Sequence, residues 1–480
     1  MRYRSGLLDV DGSMNAACGD DVLPGIGRPR TARSPAVVVV VGAGISGLVT
    51  ALRVLEGAHG PCRVVVLEAE PEPGGLARSF EMSGRVVDRF YHFICTPDRR
   101  YLGLLRELGL ASRVRWTRTR MGLLRNGGCR PFHSPMHLAL YPGVPLSDKL
   151  GYGTTVSRCR RMADWKPLED ARAQQWLRDS VGARGYEEWW DQLLTRKFGH
   201  HAPKLSAAWI MARVRRNARS RYLQLWDRVG CLEGGTGQVA DALAARIAAL
   251  AGDIRVASSV SRIVHESGRV SGVVVDGSVV PADAVVYTGR LVDLPTLLGG
   301  CGPTRYLRQL QSLEDIGVVC TLLRLRHSLS SLFWLNVLDP AIPHSGIIEF
   351  SRLWSSRPWH LLYIPEYGHV DLSSTSLDPH ERTAMYEPLL RAVNPRFSPD
   401  WVDECRVFAA TRAQPVCNVG FSKQLPPVRT PIAGLWAADY SHVFPEDRSL
   451  AEIVTLAERV ARDVVRWLAR DPVRTDPPPL

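Results

Sequence analysis

Val37 to Val41 are five consecutive valines with no polar position among them. Such a run suits a strand buried on both faces, as in a parallel sheet. After the turn Gly42-Ala43-Gly44-Ile45-Ser46-Gly47 the apolar period changes. Leu48, Ala51, Leu52 and Leu55 recur at i, i+3, i+4 and i+7, one face of a helix. Arg63 to Leu67 returns to a valine-rich run and ends on Glu68. The pattern predicts strand, glycine turn, helix, strand and acid in close succession. Near the other end, Ile432 to Ala438 predicts a strand leading into Asp439. Beyond it Leu450, Ile453, Val454, Ala457, Ala461 and Val464 mark one face of a helix, with Ser449 and Glu452 at capping-box spacing.

Residues 96–229 and 291–404 lack this rhythm. The first segment reads as helical and rich in Arg and Trp; the second holds strand candidates at Gly317–Leu325, Gly346–Phe350 and His360–Ile364. The expectation is an α/β protein whose discontinuous nucleotide-binding domain (36–95, 230–290 and 405–470) carries an inserted mixed α+β substrate domain (96–229 and 291–404). A leader over 1–35, with Met14 as an alternative start, and a tail over 471–480 flank them. A chain of 480 residues is long enough for this arrangement.

Composition narrows the classes. With 45% hydrophobic and 22% charged residues, wholesale disorder is excluded. The longest apolar run is far short of the ~20 residues of a membrane-spanning helix, and the first 35 residues lack a signal-peptide core. A cytoplasmic protein is expected, with peripheral membrane contact left open. Sixty Lys+Arg against 48 Asp+Glu leave +12, and only five of the 60 are lysines, so 55 are arginines. The guanidinium fork suits carboxylate and phosphate. A phosphorylated or carboxylated small-molecule substrate is one reading of this excess; compositional bias is the other. No motif supports nucleic-acid binding. Ten scattered cysteines without Cys-x-x-Cys or Cys/His ligand spacing predict reduced, structural thiols and no metal site.

The glycine turn carries the clearest chemistry. Gly42 permits the tight turn, Gly44 lets backbone N–H groups approach a pyrophosphate, and Gly47 lets helix and strand pack closely. Ser46 lies within the turn, and the phosphates sit at the helix N-terminus. Glu68 can accept hydrogen bonds from a ribose and would repel a 2′-phosphate, against NADP. With both strands, the helix and the acid in place, the motif predicts dinucleotide binding. Gly74-Gly75-Leu76-Ala77-Arg78-Ser79 then looks like the flavoprotein extension of this unit. Asp439 at a strand end can hold a ribityl hydroxyl, and the helix start near Leu450 can hold a flavin O2 that becomes negative on reduction. These favour FAD over NAD.

Over roughly residues 36–470 the chain resembles the flavoprotein superfamily of amine oxidases, protoporphyrinogen oxidases and phytoene desaturases, with UDP-galactopyranose mutase more distant. The likeness rests on VVGAGISGL, VVVLEAE, PGGLARS, GCLEGGTGQVADAL, DAVVYTG and GLWAADYSHVFPEDRSLAEI. It implies a Rossmann-type FAD-binding domain of the GR2 kind. It places Gly42, Gly44 and Gly47 on the diphosphate, Glu68 on the adenosine ribose, and Gly74, Gly75, Ala77 and Arg78 along the path to the flavin. It also places the stretch Ile254 to Val260 beside the adenine, Asp439 at the phosphate and ribityl, and Leu450 at the pyrimidine edge. Two positions depart from amine oxidases: Leu76 where Arg usually follows the glycine pair, and Ala438 where Gly usually precedes the acid.

The expected activity is FAD-dependent hydride abstraction, by oxidation or desaturation, from a small or medium organic substrate. The alternative is a redox-neutral mutase acting on a nucleotide sugar. In relatives the stretch Asp88 to Phe93 passes beside the isoalloxazine, which makes His92 a candidate acid–base group, or else a histidine packed among Phe90, Tyr91 and Phe93. Glu349, in an otherwise apolar strand, is a candidate base if burial raises its pKa, or else an arginine partner. Arg213, Arg215, Arg216, Arg219 and Arg221 either steer an anion or line a solvated helix face.

Overall fold

The computed structural model describes residues 35–222, 226–356, 358–370 and 377–470. The predicted tail, and the leader apart from Pro35, lie outside them. The valine run forms the strand Ala36–Val41 at the centre of a five-stranded sheet. Its order is Asp253–Arg255, Cys62–Leu67, Ala36–Val41, Ala284–Tyr287 and Leu435–Ala437, all paired parallel. Alternation sends Val38 and Val40 into one core with Val64 and Val66, and Val37, Val39 and Val41 into another on the opposite face. Helices Ile45–Gly57, Gly237–Ala249 and Leu450–Arg470 cover the first core. The antiparallel strands Val260–Glu266, Arg269–Val275 and Ser278–Pro281 contribute to the second.

A seven-stranded sheet forms the other half of the molecule. Its order is Val402–Pro415, Asp315–Leu325, His360–Gly368, Gly346–Glu349, Trp334–Val337, Met121–Arg125 and Gly128–Pro131. Every pair is antiparallel except Met121–Arg125 with Trp334–Val337. Helices between Leu146 and Ser220, including Leu146–Arg161, Asp191–Phe198 and Ala207–Ser220, complete it. This is the expected α/β class, a Rossmann-type domain joined to a mixed substrate domain. Among the described residues no helix is long and apolar enough to cross a membrane.

Local pattern and tertiary pairing diverge at four places. Val402–Pro415 runs across the boundary expected at 405, because it pairs along its length with Asp315–Leu325. The stretch 254–260 is not one strand: Asp253–Arg255 stops, Ala257 takes a φ of 49°, and the next strand begins at Val260. Cys301 is disulfide-bonded, against the expectation of reduced thiols, while Cys95, Cys159, Cys231, Cys320, Cys405 and Cys417 are buried thiols. Helix Arg99–Glu107, expected with the inserted segment, buries Tyr101, Leu104 and Leu105 in the core under the parallel sheet's helices. Leu105 is fully buried there. Leu105→Ala should therefore lower the unfolding free energy by about 2–5 kcal/mol, read as a lower denaturant midpoint.

Candidate active site

The turn after the central strand is set by close approach. Gly42 takes a φ of 103°, and a Cβ on Gly47 would lie 1.9 Å from the Gly42 carbonyl oxygen. Only glycine allows helix and strand to meet this way. A Cβ on Gly44 would meet nothing within 4 Å, so the turn presents an open face at the start of the helix, with Ser46 in its first turn. The second glycine pair stacks against it. The Gly74 N–H donates to the Ala43 carbonyl at 2.8 Å. Ala77 is buried in the core below. Arg78 is buried and bonds Glu70 and the Glu72 carbonyl, while its Nε has no partner among the described residues.

Glu68 stands at the end of its strand and accepts the N–H of Ala43 at 2.7 Å and of Glu70 at 3.0 Å. A carboxylate has about four acceptor sites, so ribose hydroxyls can still be received. Ala257 and Ser258 donate to the carbonyls of Glu70 and Glu68, which lays the segment entering Val260 along the same edge. At the far end Asp439 is already engaged. It bonds Arg290, the Leu291 N–H at 3.1 Å and the Ser441 N–H at 2.8 Å. Arg290 also bonds Asp315 and lies 3.6 Å from the Tyr440 ring centroid. Burial lifts the Asp315 carboxyl above its usual range, with Arg290 opposing. At the helix start Ser449 Oγ accepts the Glu452 N–H at 3.4 Å, one half of the expected capping box.

Asp88 links the two halves of the site. It accepts the Ser79 hydroxyl, the Thr236 N–H and the Thr236 hydroxyl at 2.6–2.7 Å. His92 turns toward it, with Nδ1 3.7 Å from the carboxylate, and that nitrogen is buried without a hydrogen bond among the described residues. Tyr91 and Phe93, on either side, face the other way and line a cavity of about 620 Å³. Phe132, Tyr152, Trp189, Trp209 and Trp334 supply aromatic walls; Lys197, Arg213, Arg216 and Asp447 supply charge. Burial would raise the Asp447 carboxyl, but Arg213, Arg216, Lys197 and Arg448 hold it well below the usual range. Burial, reinforced by Arg213 and Arg448, holds Lys197 well below the usual lysine range.

Glu349 is not brought to this cavity. Strand alternation points Ile348 into it and turns Glu349 away, where the carboxylate accepts from Ser328 Oγ at 2.8 Å and the Ser330 N–H at 2.9 Å and pairs with Arg352 at 3.1 Å. The arginine run is a solvated face only at Arg219 among its described side chains. Arg213 and Arg216 reach Asp447, Arg215 is buried against Glu446 and the Met162 carbonyl, and Arg219 bonds the Arg160 carbonyl. The Arg221 side chain lies outside the described residues.

Residues 45–382 match the family model described as flavin containing amine oxidoreductase. The chain belongs to that family. A search of curated proteins finds no sequence match. Among solved structures it is similar to a proposed protoporphyrinogen oxidase from Exiguobacterium sp. 255-15 (TM-score 0.71, 16% identity, 90% of this chain and 99% of that one). It is also similar to cyclohexylamine oxidase from Brevibacterium oxydans IH-35A (0.68, 16%, 91% and 100%) and to reduced UDP-galactopyranose mutase (0.67, 14%, 93% and 97%). Identities this low speak to the fold alone.

The protein is an FAD-dependent oxidoreductase of the flavin containing amine oxidoreductase family, and its cradle fits the cofactor. Gly44 presents an open face, Glu68 keeps acceptor capacity beyond its two backbone bonds, and Arg78 Nε and His92 Nδ1 are buried without a hydrogen bond among the described residues. Sequence reasoning assigned no role to Lys197, Arg290, Asp447 and Arg448; the last two fall inside GLWAADYSHVFPEDRSLAEI, where nothing local signals what they pair with. Glu68→Ala should weaken FAD retention by about tenfold or more, the scale of a lost charged hydrogen bond, measured as flavin released on desalting.

Proposed function

We propose that the enzyme removes hydride from a small or medium organic anion held in the aromatic cavity. One observation carries this reading. Arg160, Arg161, Arg213 and Arg216 line the cavity, and Asp447 is the one acid among the described lining residues, itself paired with two of those arginines. Such a lining attracts carboxylate or phosphate and repels the ammonium of an amine.

In this reading Gly42, Gly44, Ser46 and Gly47 hold the diphosphate and Glu68 the adenosine ribose. Gly74, Gly75, Ala77 and Arg78 follow the path toward the flavin, the Val260 segment lies beside the adenine, and Leu450 offers its N–H to the pyrimidine edge. Asp439 serves the ribityl chain only with the lone pairs that Arg290, Leu291 and Ser441 leave. The parallel sheet with its helices, Arg99–Glu107 included, is the cofactor half; the seven-stranded sheet and the helices of 146–220 are the substrate half. FAD, when bound, supplies the hydride acceptor. Arg213 and Arg216 orient the anion. Lys197 Nζ, which burial holds well below the usual lysine range, takes in its deprotonated form the proton from the substrate O–H or N–H as hydride leaves the adjacent carbon. His92, with Nδ1 unpaired on the Asp88 side, hydrogen-bonds the cofactor or relays a proton.

The same cationic lining would also suit a nucleotide sugar rearranged without net oxidation. Anaerobic mixing separates the two readings. Oxidised enzyme should bleach with its substrate if hydride is removed; a mutase stays yellow and turns over only after prior reduction.

Lys197 acts as a base only when deprotonated, so kcat should rise as pH passes upward through its depressed pKa and then level off. Lys197→Met should lower kcat by roughly 10²-fold or more and abolish that rise; an unchanged profile would remove Lys197 from the chemistry. His92→Ala should keep FAD content near wild type while turnover falls by roughly 10²-fold. Full turnover in that variant would leave His92 a packing residue.

A further inference from the structure

The four most exposed large apolar side chains among the described residues are Leu140 (74%), Leu146 (69%), Met136 (63%) and Leu150 (62%), and the next reaches only 45%. All four lie between positions 136 and 150, on or beside two helices, Pro135–Ala139 and Leu146–Arg161. Lys149 Nζ ties these helices together by bonding the Ala139 carbonyl at 2.8 Å. Leu146 and Leu150 are i, i+4 neighbours on the outer side of the longer helix, and Arg158 is exposed farther along the same helix. The nearby acid Asp148 is turned inward, accepting the Gly185 N–H at 3.0 Å. Farther along, the same helix lines the cavity through Tyr152, Gly153, Val156, Ser157, Arg160 and Arg161.

We propose that this tip docks on a lipid bilayer containing anionic headgroups. Met136 and the three leucines enter the apolar boundary, and Arg158 meets lipid phosphates. A concentrated apolar patch marks an interaction surface, and apolar side chains flanked by basic ones are what an anionic interface binds. A second copy of the chain fits less well, since a two-fold contact sets the same patch against itself and would bring the two copies of Arg158 onto one contact surface with Asp148 turned away. The proposal is independent of the substrate assignment.

Co-sedimentation of FAD-loaded protein with vesicles tests it. The protein should pellet with vesicles of mixed phosphatidylglycerol and phosphatidylcholine and bind vesicles of phosphatidylcholine alone more weakly. Leu140→Ser and Leu146→Ser should each reduce the bound fraction by about tenfold, the scale of one lost leucine insertion. Arg158→Glu should weaken the preference for the anionic vesicles and its salt sensitivity. Unchanged flavin content and absorbance would certify that the variants are folded. Wild-type protein that binds neither vesicle overturns the proposal. So do leucine variants that bind vesicles normally yet lose a self-association present in the wild type, which would make the tip an interface between copies.

Discussion

The start of helix Ile45–Gly57 presses Gly47 onto the Gly42 carbonyl more closely than any side chain would allow, and the rest of the cofactor half is arranged around that contact. The contact aims the helix N-terminus along the end of the central strand and leaves Gly44 uncovered. Thr288 closes the side of the turn, its hydroxyl bonded to the carbonyls of Val41 at 2.9 Å and Gly42 at 3.2 Å. The Ala43 peptide is gripped from two directions, its N–H by Glu68 and its carbonyl by Gly74. Segments far apart in the chain thus converge on a few backbone atoms, and a shift in any of them would move the others.

Such convergence explains what could be read from the amino-acid order. The Val37 to Glu68 unit was legible because strand, turn, helix and acid are adjacent and each has its own period. The strand candidates at 317, 346 and 360 were legible for the same reason. Legibility ended where partners are remote. Val402–Pro415 looks like part of the cofactor half until its ladder to Asp315–Leu325 is seen. Tyr101, Leu104 and Leu105 have a helical period that says they are buried but not against which layer. Glu349 drew attention as an acid in an apolar strand, and Arg352, Ser328 and Ser330 account for it.

Two of the charged groups passed over, Arg290 and Asp447, share one property: each is balanced by partners on other elements. Arg290 needs Asp439 and Asp315, and Asp447 needs Arg213 and Arg216. Buried charges are tolerated only when paired, so these clusters also tie the parallel sheet to the substrate half. Asp447 sits just before helix Leu450–Arg470, and its arginines sit on helix Ala207–Ser220. The wall of the cavity and the floor of the cofactor cradle are therefore linked through one carboxylate.

The alternation at Tyr91, His92 and Phe93 makes this stretch a partition one residue thick. Its odd positions belong to the cavity and its even position to the Asp88 side. A single substitution here therefore alters one compartment and spares the other. For a lineage this is a loose coupling: the aromatic side chains at 91 and 93 can diversify while the buried hydrogen-bond cluster around Asp88 is inherited intact.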